Sequence, residues 1–283
     1  MTGVAASLAA AAARPIGVFD SGVGGLTVLR ALRERLPAES FLYLGDTARL
    51  PYGTKSEHTV VRYALQAADA LVARDIKCLV IACNTASAVA LPAMRERYAD
   101  CPVIGVIGPG ARAACAASVS GRIAVLATEA TVRGGAYQRA ILELRPDAQV
   151  TSLACGLFVA LAEEGWTEGP IALQVAQRYL ERLGTGPTLD VDTLVLGCTH
   201  FPALAQVIAQ AAGPGVQIVD SAATAAATVE EELAARGLLL AAGGGPGGRM
   251  HFLATDGPER FAGVGGRFLG APLRVDDVEL VDI

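Results

Sequence analysis

The sequence has few residues that bind metals, and its six cysteines are not arranged in motifs. Only three histidines occur in 283 residues, at positions 58, 200 and 251, and no two cysteines form a C-x-x-C motif. Structural zinc sites are built from clustered cysteines and histidines, so this composition predicts no metal site. Unpaired cysteines are also typical of chains whose thiols stay reduced inside the cell.

Long apolar runs and N-terminal positive charge are lacking as well. No apolar run is long enough to span a bilayer. Residues 1–13 are rich in alanine but contain no basic residue before Arg14, unlike the charged start of a signal peptide. We interpret residues 1–13 as a low-complexity, frayed extension and expect a soluble, cytoplasmic protein with no membrane partner. The net charge of -5 argues against nucleic acid as the main partner.

Short apolar runs, by contrast, are abundant and alternate with helical patterns. Hydrophobic residues make up 52% of the chain, which is enough for a substantial core. A glycine-rich turn at 21–25 is followed by apolar residues at helical spacing. Strands that alternate with helices predict an α/β fold with mostly parallel sheets. The first four predicted strands are 15–20, 40–46, 77–82 and 102–107.

The strand–helix pattern starts again after a Gly-Pro-Gly segment at 108–110. Residues 120–128 align with the start of the chain, with Thr128 opposite Ser21. We therefore predict two similar, pseudo-symmetric α/β domains with the active site in the cleft between them, at the carboxyl ends of their strands. The predicted domains are a discontinuous first one, 14–109 with 221–283, and a second one, 110–220.

Two of the cysteines follow buried strands. Cys83 and Cys198 each end an apolar run and are followed by two polar residues. At such strand-to-helix junctions, the helix N-terminus lowers the pKa of a thiol. The simplest alternative is that both are small core residues, as we expect for Cys78, Cys101 and Cys115.

Two kinds of catalysis are compatible with these thiols. A nucleophilic Cys198 with His200 as its base would leave Cys83 unexplained. A thiol pair explains both, because moving a proton from one face of a carbon beside a carboxylate to the other needs a base and an acid. Asp20, at the end of the first strand, and His200 would then tune the thiols or relay protons. Asp20 could instead cap a helix, and His200 could be a structural histidine.

Five motifs occur in an order that carries a family resemblance. They are FDSGVGG (19–25), GDTARLPYG (45–53), ACNTAS (82–87), LGCTHFP (196–202) and VDSA (219–222). In this order they resemble the glutamate racemases, which belong to the cofactor-independent aspartate/glutamate racemase superfamily. The likeness runs from about residue 15 to residue 270.

The resemblance implies a racemase that uses neither a metal nor an organic cofactor. It implies that Cys83 and Cys198 are the catalytic acid/base pair and that Asp20, His200 and Glu163 assist them. It also implies a substrate-binding set, namely Asp20, Ser21, Tyr52, Gly53, Asn84, Thr85, Thr199 and His200.

Two segments depart from the family pattern. Gly156 and Ala160 stand where prolines are expected, so Glu163 and Glu164 are alternatives for the assisting carboxylate. Residues 131–137 lack the usual serine, which affects contacts to the substrate side chain.

The resemblance implies that the chain interconverts L- and D-glutamate, supplies D-glutamate for peptidoglycan and forms a homodimer. An aspartate or other amino-acid racemase of the same superfamily is the nearest alternative. A two-domain amino-acid-binding module without catalysis is an alternative of another class. It would explain the cleft and the glycine turns but not the paired thiols.

Overall fold

The computed structural model describes residues 8–184, 189–241 and 248–283. Within these ranges, ten strands form one sheet of six strands and one of four. The strands are β1 (Ile16–Asp20), β2 (Phe41–Gly45), β3 (Cys78–Ile81), β4 (Val103–Gly105), β5 (Arg122–Ala127), β6 (Gln149–Ala154), β7 (Thr193–Gly197), β8 (Gln217–Asp220), β9 (Met250–Ala254) and β10 (Val278–Leu280).

The two sheets share one strand topology. The six-stranded sheet has the order β10-β9-β2-β1-β3-β4, and the four-stranded sheet has the order β6-β5-β7-β8. All the strand pairs of the described ranges are parallel. In each sheet the first strand lies between the second and the third, and the fourth follows the third. The prediction of two similar, pseudo-symmetric α/β units is therefore confirmed.

Helices connect the strands and bury the sheets. Ile16 and Val18 of β1 belong to one buried apolar cluster, whereas Phe19 belongs to another. Since successive side chains of a strand point to opposite faces, both faces of the first sheet are covered. The helices are α1 (Leu26–Arg35), α2 (Glu57–Val72), α3 (Asn84–Val89), α4 (Leu91–Arg97), α5 (Ile107–Ala117), α6 (Glu129–Gly134), α7 (Ala136–Leu144), α8 (Leu157–Glu164), α9 (Gly169–Leu180), α10 (Ala205–Ala212), α11 (Ser221–Ala235) and α12 (Pro258–Leu269).

Side-chain caps mark the starts of two helices. The Ser56 hydroxyl accepts a hydrogen bond from the Thr59 backbone N–H at the start of α2. The Asp220 carboxylate does the same for Ala222 at the start of α11, at 2.8 Å. Side-chain oxygens of this kind satisfy N–H groups that a helix leaves unpaired in its first turn.

The Gly-Pro-Gly segment at 108–110 lies in the first turn of α5, where proline is tolerated. Two local expectations are wrong. The sequence predicts a single helix over 86–98, but the structure divides it into α3 and α4 near Pro92, which has no N–H to donate. Residues 8–12 are helical, and Ala12 is buried, so this part of the extension is not frayed.

Some other predictions are not tested by the described residues. Residues 1–7 and most of the expected glycine-rich loop at 243–248 lie outside the described residues. The exact domain limits remain a prediction, although β9 and β10 extend the six-stranded sheet beside β2. No helix in the described ranges is long and apolar enough to cross a membrane.

Candidate active site

A cavity of about 550 Å³ lies at the carboxyl ends of the strands of both sheets. Every predicted site residue except Asp20 lines it, namely Ser21, Tyr52, Gly53, Cys83, Asn84, Thr85, Glu163, Cys198, Thr199 and His200. A larger groove of about 890 Å³ is lined by α4, α5 and α7 and contains none of these residues. The strands thus place both thiols at one cavity, as the pseudo-symmetry predicts.

Cys83 lies at the junction of β3 and α3 and is buried. Its sulfur accepts a hydrogen bond from the Ala86 backbone N–H at 3.5 Å and lies 3.4 Å from Ser21 Oγ. Burial, with the nearby Asp20 charge, raises the pKa of Cys83 to about 12, although Ser21 and Ala86 lower it in part. The helix N-terminus thus lowers this pKa as expected, but desolvation is the larger effect, so the expected net lowering is wrong. At neutral pH, Cys83 is therefore a thiol.

Cys198 belongs to a chain of three polar side chains. Its sulfur lies 3.8 Å from His200 Nδ1, and His200 Nε2 lies 3.1 Å from Glu163 Oε1. Burial alone would lower the pKa of His200, but the contacts with Cys198 and Glu163 raise it to about 10. The hydrogen bond to His200 lowers the pKa of Glu163. At neutral pH, His200 is therefore an imidazolium held between a carboxylate and a sulfur.

The glycine-rich turn after β1 positions this histidine from the other unit. A Cβ atom at Gly24 would come within 2.5 Å of His200 Nδ1, so only glycine allows the imidazole to pack here. The Thr27 hydroxyl donates to the Thr199 backbone carbonyl at 3.0 Å, which joins α1 to the segment after β7. The Phe268 ring packs edge-on against His200, with a centroid distance of 5.2 Å.

Asp20 lies beneath the cavity and does not line it. One carboxylate oxygen accepts a hydrogen bond from the Gly22 N–H at 2.9 Å, and the other has no partner among the described residues. Burial raises the pKa of Asp20, whereas the His200 charge and the backbone N–H groups of the turn lower it. The Asp20 charge thus raises the pKa of Cys83, and its carboxylate accepts a hydrogen bond within the glycine-rich turn.

The Tyr52 ring of the first unit forms part of the cavity wall. Tyr52 is buried, and its hydroxyl donates to Asp46, whose carboxylate also pairs with Arg49 at 2.8 Å. The hydroxyl is therefore already engaged, and the residue lines the cavity as a wall. Gly53 allows the same loop to approach the second unit, since a Cβ there would lie 2.8 Å from Thr128.

Hydroxyl and amide groups bridge the two units on the Cys83 side. Thr85 Oγ1 lies 3.0 Å from Thr128 Oγ1 and 3.2 Å from Thr131 Oγ1. Asn84 is held by the hydroxyl of Tyr137, which donates to Asn84 Oδ1 at 2.7 Å. These contacts connect the start of α3 to α6 and α7 of the other unit.

The structure separates the two alternative carboxylates. Glu163 lines the cavity and contacts both His200 and Arg260, the latter at 2.9 Å, whereas Glu164 is exposed. Sequence reasoning missed other lining residues, among them Leu50, Glu129, Val159 and Thr128. Only Thr128 had a signal, because the internal alignment places it opposite Ser21.

Comparisons with known proteins identify the family of the chain. Residues 16–229 match the Asp/Glu/Hydantoin racemase family. A glutamate racemase of Geobacter metallireducens is 51% identical over 260 residues, which cover 92% of this chain and 94% of that protein.

Solved structures show the same architecture. A glutamate racemase isoform from Bacillus anthracis superposes with a TM-score of 0.88 at 36% identity, covering 95% of this chain and 98% of that one. A glutamate racemase from Francisella tularensis, solved with D-glutamate, gives 0.87 at 37% identity, covering 96% and 98%. The chain therefore belongs to the Asp/Glu/Hydantoin racemase family, and the predictions that it resembles the glutamate racemases and is an isomerase are confirmed.

Proposed function

We propose that this protein is a glutamate racemase that moves the α-proton between two cysteines on opposite faces of the substrate. The observation that carries the proposal is the placement of Cys83 and Cys198 after equivalent strands, β3 and β7, at one cavity. The names of the relatives support glutamate as the substrate, and the Francisella tularensis protein was solved with D-glutamate. We propose that the reaction uses neither a metal nor an organic cofactor.

The two sulfurs have different surroundings, so we assign them opposite roles in this direction. Cys198 lies 3.8 Å from the cationic His200 and acts as the base, whereas burial keeps Cys83 protonated as the acid. Cys198 then takes the α-proton, and the electron pair left on carbon takes a proton from Cys83 on the opposite face. The product has the opposite configuration, with a thiol at Cys198 and a thiolate at Cys83. That state is competent for the reverse reaction, and proton exchange with solvent restores the first one.

The polar side chains around the thiols would hold the substrate. Ser21, Asn84, Thr85 and Thr199 bring hydroxyl and amide groups to the lining, and they suit the carboxylates and ammonium group of glutamate. Glu163 would hold His200 in its charged form, and Asp20 would hold the turn that packs on His200. Gly53 and Tyr52 would form the wall that limits substrate length.

In the cell, D-glutamate made here would serve peptidoglycan synthesis. We place the protein in the cytoplasm as a homodimer, on the strength of its likeness to glutamate racemases. Net negative charge and a cavity sized for a small molecule support a small-molecule substrate.

The proposal is tested by following the circular dichroism of separate D-glutamate, L-glutamate and D-aspartate solutions with purified protein. We expect both glutamate signals to decay to zero, because a racemase brings either enantiomer to the same mixture. Faster decay of D-aspartate would identify an aspartate racemase instead. Binding of glutamate without any decay would identify a non-catalytic amino-acid-binding module.

The alkaline limit of activity should depend on Glu163. The pKa of His200 is raised to about 10, so the cationic form persists below that pH and is lost as pH rises through it. Glu163→Gln removes a contact that raises this pKa, so the alkaline limb of kcat/KM should move down by roughly one pH unit. Substrate ionisation is common to both proteins and cancels in the comparison.

The neighbouring residue provides the matched control for this shift. Glu164 is exposed and does not line the cavity, so Glu164→Gln should keep the profile of the unmodified protein. An equal shift in both variants, or none in Glu163→Gln, would show that Glu163 does not control the charge of His200.

A further inference from the structure

The two polar ends of the Asn84 side chain have different environments. Asn84 is the first residue of α3, directly after Cys83, and it is buried while lining the cavity. Its Oδ1 atom accepts a hydrogen bond from the Tyr137 hydroxyl at 2.7 Å. Its Nδ2 atom is buried and has no hydrogen-bond partner among the described residues. A buried donor without a partner is costly, so this NH₂ group is suited to an acceptor supplied by a ligand.

Tyr137 is itself held in place. It lies in α7 of the second unit and is almost completely buried. Its ring packs against two glycines, and a Cβ at Gly110 or Gly197 would lie 3.1 Å from the ring or its hydroxyl. Burial also raises the pKa of Tyr137, so the hydroxyl keeps its proton and can donate. A fixed donor at this point determines which end of the Asn84 amide faces it.

We propose that Tyr137 is a positioning residue that fixes the Asn84 amide, with the oxygen toward Tyr137 and the NH₂ group reserved for a substrate carboxylate. The inference rests on the proposed function and extends it to a residue outside the cavity lining. Without the hydroxyl, the amide can turn and present Oδ1 to the carboxylate, which repels it. The site therefore favours an acceptor at this position because of a residue from the opposite unit.

The inference is tested with Tyr137→Phe, Asn84→Ala and the double variant. Tyr137→Phe should raise KM for glutamate about tenfold, with kcat within about threefold of the unmodified value, because the contact exists before and during the reaction. In the Asn84→Ala background, the same change at Tyr137 should have no further effect, since Tyr137 acts through Asn84. Calorimetric titration with D-glutamate should show the same pattern in affinity and needs no turnover.

Tyr98 provides the control, because Tyr98→Phe shows whether the loss of any buried tyrosine hydroxyl changes substrate binding. The Tyr98 hydroxyl donates to Asp69 at 2.6 Å, and neither residue lines the cavity. Tyr98→Phe should leave KM and D-glutamate affinity unchanged. Thermal unfolding of each variant shows whether it is folded.

The outcomes distinguish this inference from the proposed function. Absence of racemisation by the unmodified protein counts against the proposed function, while the titration still tests Tyr137. Racemisation with unchanged KM and affinity in Tyr137→Phe would overturn the inference alone. An equal loss for Tyr137→Phe in the presence and absence of Asn84 would also overturn it, because Tyr137 would then act by another route.

Discussion

Replacing either Cys83 or Cys198 with serine is expected to lower kcat for glutamate racemisation at least about 10³-fold in both directions. The two residues stand at equivalent strand ends of one cavity, and each serves as acid in one direction and base in the other. A serine hydroxyl has nearly the same size, but it gives up its proton far less readily than a thiol. The variants should therefore fold and bind glutamate while failing in proton transfer.

The matched control is a cysteine outside the cavity. Cys115 is half-buried in α5, and its thiol lies 3.8 Å from the Ile141 carbonyl, so Cys115→Ser should keep normal kcat and KM. Rates from circular dichroism in both directions provide the measurement. Unchanged rates in both directions in Cys83→Ser or Cys198→Ser would contradict the two-thiol mechanism.

The largest expected loss of stability comes from Lys77→Met, far from the cavity. Lys77 Nζ lies 2.5 Å from Glu39 Oε2, and both side chains are only 1% exposed. The ammonium also donates to the carbonyls of Ala12 at 2.6 Å and Leu238 at 2.9 Å. Removing one partner of a buried pair leaves the other charge uncompensated and costs about 3–5 kcal/mol of unfolding free energy.

Thermal unfolding measures this effect, which corresponds to a fall in Tm on the order of 10 °C. Replacing Glu39 as well, in Lys77→Met/Glu39→Leu, should recover part of the loss because no unpaired charge remains. The exposed pair between Arg97 and Asp69 is the control, since an exposed ion pair adds little stability and Arg97→Met should leave Tm nearly unchanged. Equal losses for Lys77→Met and Arg97→Met would contradict the account.

The main features of the fold were predictable because their signals are local. Strands appear as short apolar runs, and the Ser56 and Asp220 caps lie beside the helices they start. The equivalence of Cys83 and Cys198 was predictable too, because each follows such a run and precedes polar residues. The parallel topology then follows from the alternation of strands and helices.

The contacts that tune the site were not predictable, because they join distant parts of the chain. Tyr137 and Asn84 are 53 residues apart, and their hydrogen bond depends on how α7 docks against α3. The buried pair of Glu39 and Lys77 likewise forms only after the first sheet assembles. The high pKa of Cys83 has the same origin, because burial depends on neighbours that the local sequence does not reveal.

The central claim is that one thiol removes the α-proton and a different thiol supplies the proton that replaces it. Its most direct test is racemisation in deuterated water, with the α-carbon label measured in both enantiomers at low conversion. Two thiols predict deuterium in nearly every product molecule, while the remaining substrate keeps its original proton, from either starting enantiomer. Equal labelling of substrate and product would indicate a single group that exchanges with solvent and would contradict the two-thiol account.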